Sequence, residues 1–189
     1  FRGNLVIPNS VTSLGSYSFF GCTGFNGSLK IPDEINEIND DVFNHCENLR
    51  GTISLPQSIT TIGRNSFSFC YSFYGSIVIP DSVVAVRAFA FFQCSSMNGT
   101  IILSKKIETI DEGAFYFCNN LKGNLVLPNT LKKIGNFAFA SCQNLNGSLV
   151  IPNSVKSIND YAFSMCRGFS GYLSIPDSVA LTGTIHFQC

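Results

Sequence analysis

The chain has 189 residues, the length of one ordinary domain, and 45% of them are apolar, enough for a packed core. Only 13% are charged, and twelve basic side chains cancel twelve acidic ones, so no net charge draws the chain toward nucleic acid or an anionic membrane. The apolar runs are far too short to span a bilayer, and no secretory leader stands at Phe1.

Along the chain, one unit recurs. Proline stands at Pro8, Pro32, Pro56, Pro80, Pro128, Pro152 and Pro176, in steps of 24 residues, with Ser104 in the one skipped place. Glycine keeps the same period from Gly3 to Gly171, phenylalanine from Phe19 to Phe187, and cysteine from Cys22 to Cys166, with Cys189 one residue early. Four coincident registers over about eight units predict a solenoid with one coil per repeat. The first unit begins late and the last stops at its cysteine. A single solenoid over 1–189, cut from a longer array without caps of its own, is therefore expected.

Within a unit the elements follow in order. The glycine (Gly147) admits a tight bend into a strand. "SLVIP" (148–152) then alternates, with Leu149 and Ile151 pointing one way and Val150 the other. This predicts a short strand of a parallel sheet. Proline cannot donate to a ladder, so Pro152 closes the strand and opens a turn. "VKSI" (155–158) reads as a second short extended piece in preference to a turn. Asn159-Asp160 suits a helix cap, so "AFSMC" (162–166) is expected to form about one turn of 3-10 or α-helix. Stacking coils about 4.8 Å apart would lay Leu5, Leu29, Ile53 and their successors in one buried row. The phenylalanines would form a second row, suited to offset stacking.

Eight cysteines raise the question of disulfides. One in-register row faces no second cysteine row, and bridging neighbouring rungs would force the disulfide torsion. No Cys-x-x-Cys spacing points to zinc. Reduced, buried thiols, with each S–H near a turn carbonyl, are the expected state.

The unit G-x-L-x-I-P-x-S-V-x-x-I-x-x-x-A-F-x-x-C resembles the BspA-like leucine-rich repeat family. Its clearest copies are "GNLVLPNTLKKIGNFAFASC" (123–142) and "GSLVIPNSVKSINDYAFSMC" (147–166). The resemblance implies a right-handed leucine-rich repeat solenoid of about eight coils, β-rich, with short strands and short helical turns. It also implies a secreted or cell-surface protein associated with adhesion to host cells or matrix proteins. Ser104, Thr182, His186 and the shortened step before Cys189 depart from the pattern and make 180–189 an irregular last coil.

Positions that vary between coils are where binding can reside. The outward strand residue is Val78, Ile102, Val126 and Val150 in four successive coils, and Val6, Lys30, Ser54 and Ser174 in the others. Such a stripe, about 15 Å long, marks a binding or dimer face, unless plain β propensity placed valine there. Asp33, Glu34, Glu37, Asp40, Asp41 and Glu47 crowd the second coil. Lys105, Lys106, Lys132, Lys133 and Lys156 form a basic patch in coils five to seven, where Lys122 also lies. This polarity orients a charged partner or favours antiparallel pairing, or else marks a solvated flank. Asn26, Asn98 and Asn146 each begin a glycan acceptor pattern on the same edge of the coil, which the repeat's own Gly-Ser/Thr step also generates.

Nothing in the chain carries catalysis. Its two histidines, His45 and His186, lie in distant coils, and Cys46 should face inward while His45 faces out. No phosphate loop, metal triad or paired-carboxylate signature is present, and no cofactor is implied. The expected partner is a protein, in the extracellular space or on a cell surface. Candidates are a host matrix or surface protein, or a second copy joined through the coil ends or the strand face. A spacer that sets length for a neighbouring domain is the alternative.

Overall fold

A computed structural model describes residues 1–181. Among them the backbone makes about seven turns of roughly 24 residues and forms no helix. Thr182, His186 and Cys189, on which the irregular end was expected, lie outside the described residues. The chain was expected to form about eight coils; the difference is this partial last one.

Each coil has three sides. The strand that ends at the proline forms β1 (Leu5–Val6) and β2 (Leu29–Lys30), then β5 (Ile77–Val78) and β7 (Ile101–Ile102). Further along, β9 (Lys122–Asn124), which stops just short of that strand position, pairs with the start of β11 (Asn144–Val150), and β11 in turn with β13 (Phe169–Ser174). The V-x-x-I segment is extended, as expected, and gives the longer ladder. It runs β3 (Glu37–Ile38), β4 (Thr61–Ile62), β6 (Ala85–Val86), β8 (Thr109–Ile110), β10 (Lys133–Ile134), β12 (Ser157–Ile158) and β14 (Ala180–Leu181) in unbroken order. All pairs are parallel, and the two-residue strands stack like on like, Leu5 on Leu29 and Ile38 on Ile62. β9 meets β11 out of that register, Lys122 on Asn144, and the β11–β13 pairing shifts between Gly147–Phe169 and Leu149–Leu173. At β14 the partner of Ser157 is Ala180, one residue short of the period.

The motif residues between these ladders have identifiable jobs. The proline carbonyl accepts the N–H three residues on, as in Pro80 to Val83 at 2.9 Å, closing a turn. In three coils the hydroxyl two residues after the proline, that of Ser58, Ser82 or Thr130, bonds to the preceding coil. Ser58 Oγ donates to the Asp33 and Ile35 carbonyls, and Thr130 Oγ1 to those of Lys105 and Ile107. In the coil that lacks proline, Ser104 Oγ accepts the Lys106 N–H at 3.0 Å and the turn persists.

The third side corrects the expectation of a helical turn. Residues nine and thirteen places after the proline sit in the left-handed region in coil after coil: Asn65 and Phe69, Phe89 and Gln93, Phe137 and Ser141, Tyr161 and Met165. A right-handed helix cannot propagate through such residues. Their N–H groups, and that of the phenylalanine midway between them, instead reach the next coil, so that every second N–H does so: Asn65 to Ala88 at 3.0 Å, Phe67 to Ala90 at 2.8 Å, Phe69 to Phe92 at 2.8 Å. The intervening N–H groups close turns within the coil, such as Ser68 to Asn65. Gly113 holds one of the left-handed places, and the Phe89 ring occupies the space where its Cβ would be.

The core is a set of parallel side-chain rows. The phenylalanine row is stacked as expected, with centroids 5.3–5.6 Å apart from Phe19 through Phe163. Beside it run the strand leucines and isoleucines and the alanines Ala90, Ala114, Ala138 and Ala162, all buried. Burying each such ring contributes about 1.5–3 kcal/mol. A lone coil could not offset its ordering entropy, but a stack can.

Candidate protein-binding surfaces

On the first strand face, side chains alternate as the sequence pattern requires. Leu5, Leu29, Ile77, Ile101, Leu125 and Leu149 point inward and are buried. Their neighbours point out. Val78 is 45% exposed, Ile102 52%, Val126 67% and Val150 43%. The structure therefore brings these four side chains together as one outward row. Beside it runs a polar row two residues upstream, in which Ser76 Oγ lies 3.3 Å from Thr100 Oγ1 and accepts the Thr100 N–H. Tyr172 interrupts that row of small polar residues and is exposed. Together with Asn124, Val126, Asn129 and Val150 it lines a depression of about 550 Å³. Tyr172 went unnoticed in the sequence, although it is the one aromatic at a place otherwise held by Ser, Thr or Asn.

The five lysines also share one side of the solenoid, on the turn after the proline and on the long ladder. Lys132 and Lys156 stack on adjacent coils, with the Lys156 N–H on the Lys132 carbonyl at 2.8 Å. Lys133 lies in register between Thr109 and Ser157. Two of the five are answered within the chain by acids one coil earlier: Lys132 by Glu108 at 2.8 Å and Lys105 by Asp81 at 3.6 Å. The Asp81 carboxylate accepts the Lys105 N–H, and that bond, with the ammonium nearby, holds its pKa below the usual range.

The acceptor asparagines Asn26, Asn98 and Asn146 are exposed on one edge. The Oδ1 of Asn26 takes the Gly3 N–H at 2.8 Å, and that of Asn98 the Gly75 N–H at 3.0 Å. Asn26 and Asn98 thus each tie their coil to the preceding one.

The sulfur row is as expected on the described coils. Cys22 through Cys166 are all free thiols. Each S–H from Cys46 onward donates to the phenylalanine carbonyl of the preceding coil, as in Cys118 to Phe91 at 3.1 Å and Cys142 to Phe115 at 3.2 Å. Burial pushes the thiols of Cys46 and Cys118 up to about 12, and those of Cys70, Cys94 and Cys142 well above their ordinary value. Such thiols are poor nucleophiles. His45 turns away from Cys46: its Nδ1 lies 3.1 Å from Glu47 Oε1 and its ring stacks on Phe69 at 4.2 Å.

That stacking belongs to a feature the sequence pattern hides. Outside the core an aromatic ladder runs Tyr17, Phe20, His45, Phe69, Phe92, Tyr116, Phe137, Tyr161, each ring centroid 4.2–5.8 Å from the next. Its first two rings are exposed and the others half-buried against one another. The Tyr17 phenol donates to Asp41, which raises its pKa. No cluster of three or more His, Cys, Asp or Glu side chains able to hold a metal occurs among the described residues, nor does any helix long and apolar enough to cross a membrane.

Residues 3–122 and 109–189 match the model of the BspA type leucine rich repeat region, in six copies. The chain belongs to the BspA-type leucine-rich repeat family. A leucine-rich repeat protein from Bacteroides ovatus has the same fold with a TM-score of 0.65 and 23% identity, over 94% of this chain and 61% of that one. The T. pallidum leucine-rich repeat protein matches with 0.57 and 24%, over 92% of this chain and 70% of that one. This BspA-type chain therefore spans about three-fifths of the Bacteroides ovatus protein. No curated protein sequence matches it. BspA-type repeats are a protein-interaction fold of bacterial surface proteins.

Proposed function

We propose that this solenoid is a non-catalytic, adhesin-like binding module of a secreted or cell-surface protein, engaging a host matrix or cell-surface protein through its first strand face. The observation that carries the reading is the outward row Val78, Ile102, Val126 and Val150, four large apolar side chains left in solvent on adjacent coils. The row is about 15 Å long, too small to be a whole interface of about 800 Å² per partner. It has the makings of an apolar centre, with Ser76, Thr100, Asn124 and Ser148 as the polar rim beside it. The Tyr172 depression at its end supplies an aromatic anchor of the kind that dominates protein interfaces.

The test is binding of the recombinant chain to a panel of immobilised matrix proteins and to cells. Loss of binding in the chain carrying both Val126→Lys and Val150→Lys supports the strand face; unchanged binding removes it. The second reading, a spacer that sets distance for a neighbouring domain, draws on the near-identical rungs, which make a stiff rod extended by about 4.8 Å per coil. A chain that binds nothing on the panel, while changes in repeat number alter the reach of the whole protein, favours that reading.

A further inference from the structure

The unpartnered side of the solenoid formed by the proline turn and the long ladder carries its charge in two separate blocks. Asp33 and Glu34 stand one and two places after the proline in the second coil, and Glu37 five places after it, all exposed. In the sixth coil the corresponding region holds Lys132 and Lys133, four and five places after the proline. Lys106 and Lys156 flank them in the fifth and seventh coils on the same side. Asp33, Glu34 and Glu37 have no cation partner among the described residues, and neither have Lys106, Lys133 and Lys156. Three unanswered anions and three unanswered cations thus share one side, about four coils or 19 Å apart.

A two-fold axis perpendicular to this side at the fourth coil exchanges the second coil of one copy with the sixth of the other. It also reverses the order of residues across the face. Asp33 then meets Lys133, Glu34 meets Lys132, which it shares with Glu108 of the lysine's own copy, with Lys156 alongside, and Glu37 lies near Lys106 and the Asp81-paired Lys105. The axis passes over the buried Val83, and Val84 beside it is half exposed on the ladder side. We propose that this face pairs with a second copy of the same chain, antiparallel, by this two-fold charge match. A two-fold interface is self-complementary by construction, and a face bearing both signs at matched distances from a centre meets that condition.

The face spans about seven coils by five residues, roughly 450 Å² per copy, below the standard interface size, which makes the pairing weak and transient. It is distinct from the valine row, so it leaves that row open to another protein.

Sedimentation velocity on the intact chain tests the proposal, at up to about 300 μM, a range suited to weak association, in about 20 mM and about 300 mM salt. A reversible dimer whose association weakens at least about tenfold in the higher salt is expected. Lys132→Glu with Lys133→Glu gives a chain that is monomeric alone, as does Asp33→Lys with Glu34→Lys. Mixed, the two form a one-to-one complex, and one chain with all four changes dimerises again. Circular dichroism confirms that each variant is folded. Four results overturn the proposal: a wild-type monomer throughout the range at low salt, a salt-insensitive dimer, a mixture that stays monomeric, or a dimer abolished by Val126→Lys.

Discussion

Phe115→Ala removes one ring from the middle of the phenylalanine row. The side chain is fully buried and stacked on Phe91 and Phe139, both at 5.4 Å. Loss of its burial costs about 1.5–3 kcal/mol, and each stacking contact about 0.5–1.5 kcal/mol. Coils held at the 4.8 Å ladder spacing cannot close into the gap, so a cavity term adds to this and the total is about 4 kcal/mol. Phe19 has the same place in the first coil but is only half-buried and stacks on Phe43 alone at 5.6 Å. Its replacement by alanine should cost about 1–2 kcal/mol. Urea unfolding followed by far-ultraviolet circular dichroism measures both, and the slope of the transition reports whether the array still unfolds as a unit. A loss below about 1 kcal/mol for Phe115→Ala, or one no larger than for Phe19→Ala, would refute the argument that in-register ring stacking holds the coils together.

Two further changes read other rows. Ser66 is buried and its hydroxyl has no partner, while the same place is alanine in the four following coils through Ala162. Ser66→Ala should raise stability by about 1 kcal/mol in the same urea assay, and a loss would show the hydroxyl to be satisfied. The sulfur row sets an alkaline limit. A thiol raised in the folded chain contributes fully below its unfolded pKa, and that contribution is lost as pH climbs through the folded value. For Cys118 the window runs from about 9 to about 12, with a slope of about 1.4 kcal/mol per pH unit. Cys118→Ala should be less stable at neutral pH, yet lose stability less steeply between about pH 9 and 11. An unchanged slope would mean that the thiol is not held protonated by burial.

Much of this architecture could be read from the residues alone, because rows of identical side chains are a direct image of stacked coils. The period located the buried leucines, the phenylalanine stack, the proline at the strand end and the inward thiols. The helical turn was misread for a physical reason. Left-handed backbone usually announces itself through glycine, but here those places hold Phe69, Phe89, Phe117, Phe137 and Tyr161, with glycine only at Gly21 and Gly113. Inter-coil hydrogen bonds, which no local pattern encodes, impose that conformation. The outer aromatic ladder was hidden for a related reason. Its members alternate among three places in the repeat, so no single column is aromatic, and only the coil geometry brings Phe92 to Tyr116 and Tyr116 to Phe137. The ion pairs Arg87–Asp111, Lys105–Asp81 and Lys132–Glu108 join residues 24 apart, and they could have been listed from the period once the stacking was granted. The valine row was legible as a pattern. Its partner was not, since β-branched residues suit any strand.

The account rests on like side chains of successive coils lying over one another, and a thiol titration reads that most directly. In the native chain Cys46, Cys70, Cys94, Cys118, Cys142 and Cys166 are buried, and they should resist a small thiol reagent while half-buried Cys22 reacts. After denaturation without reductant, all eight cysteines should titrate. Fewer than eight, or rapid native reaction at the six buried positions, would contradict the single continuous sulfur row and the stack it belongs to.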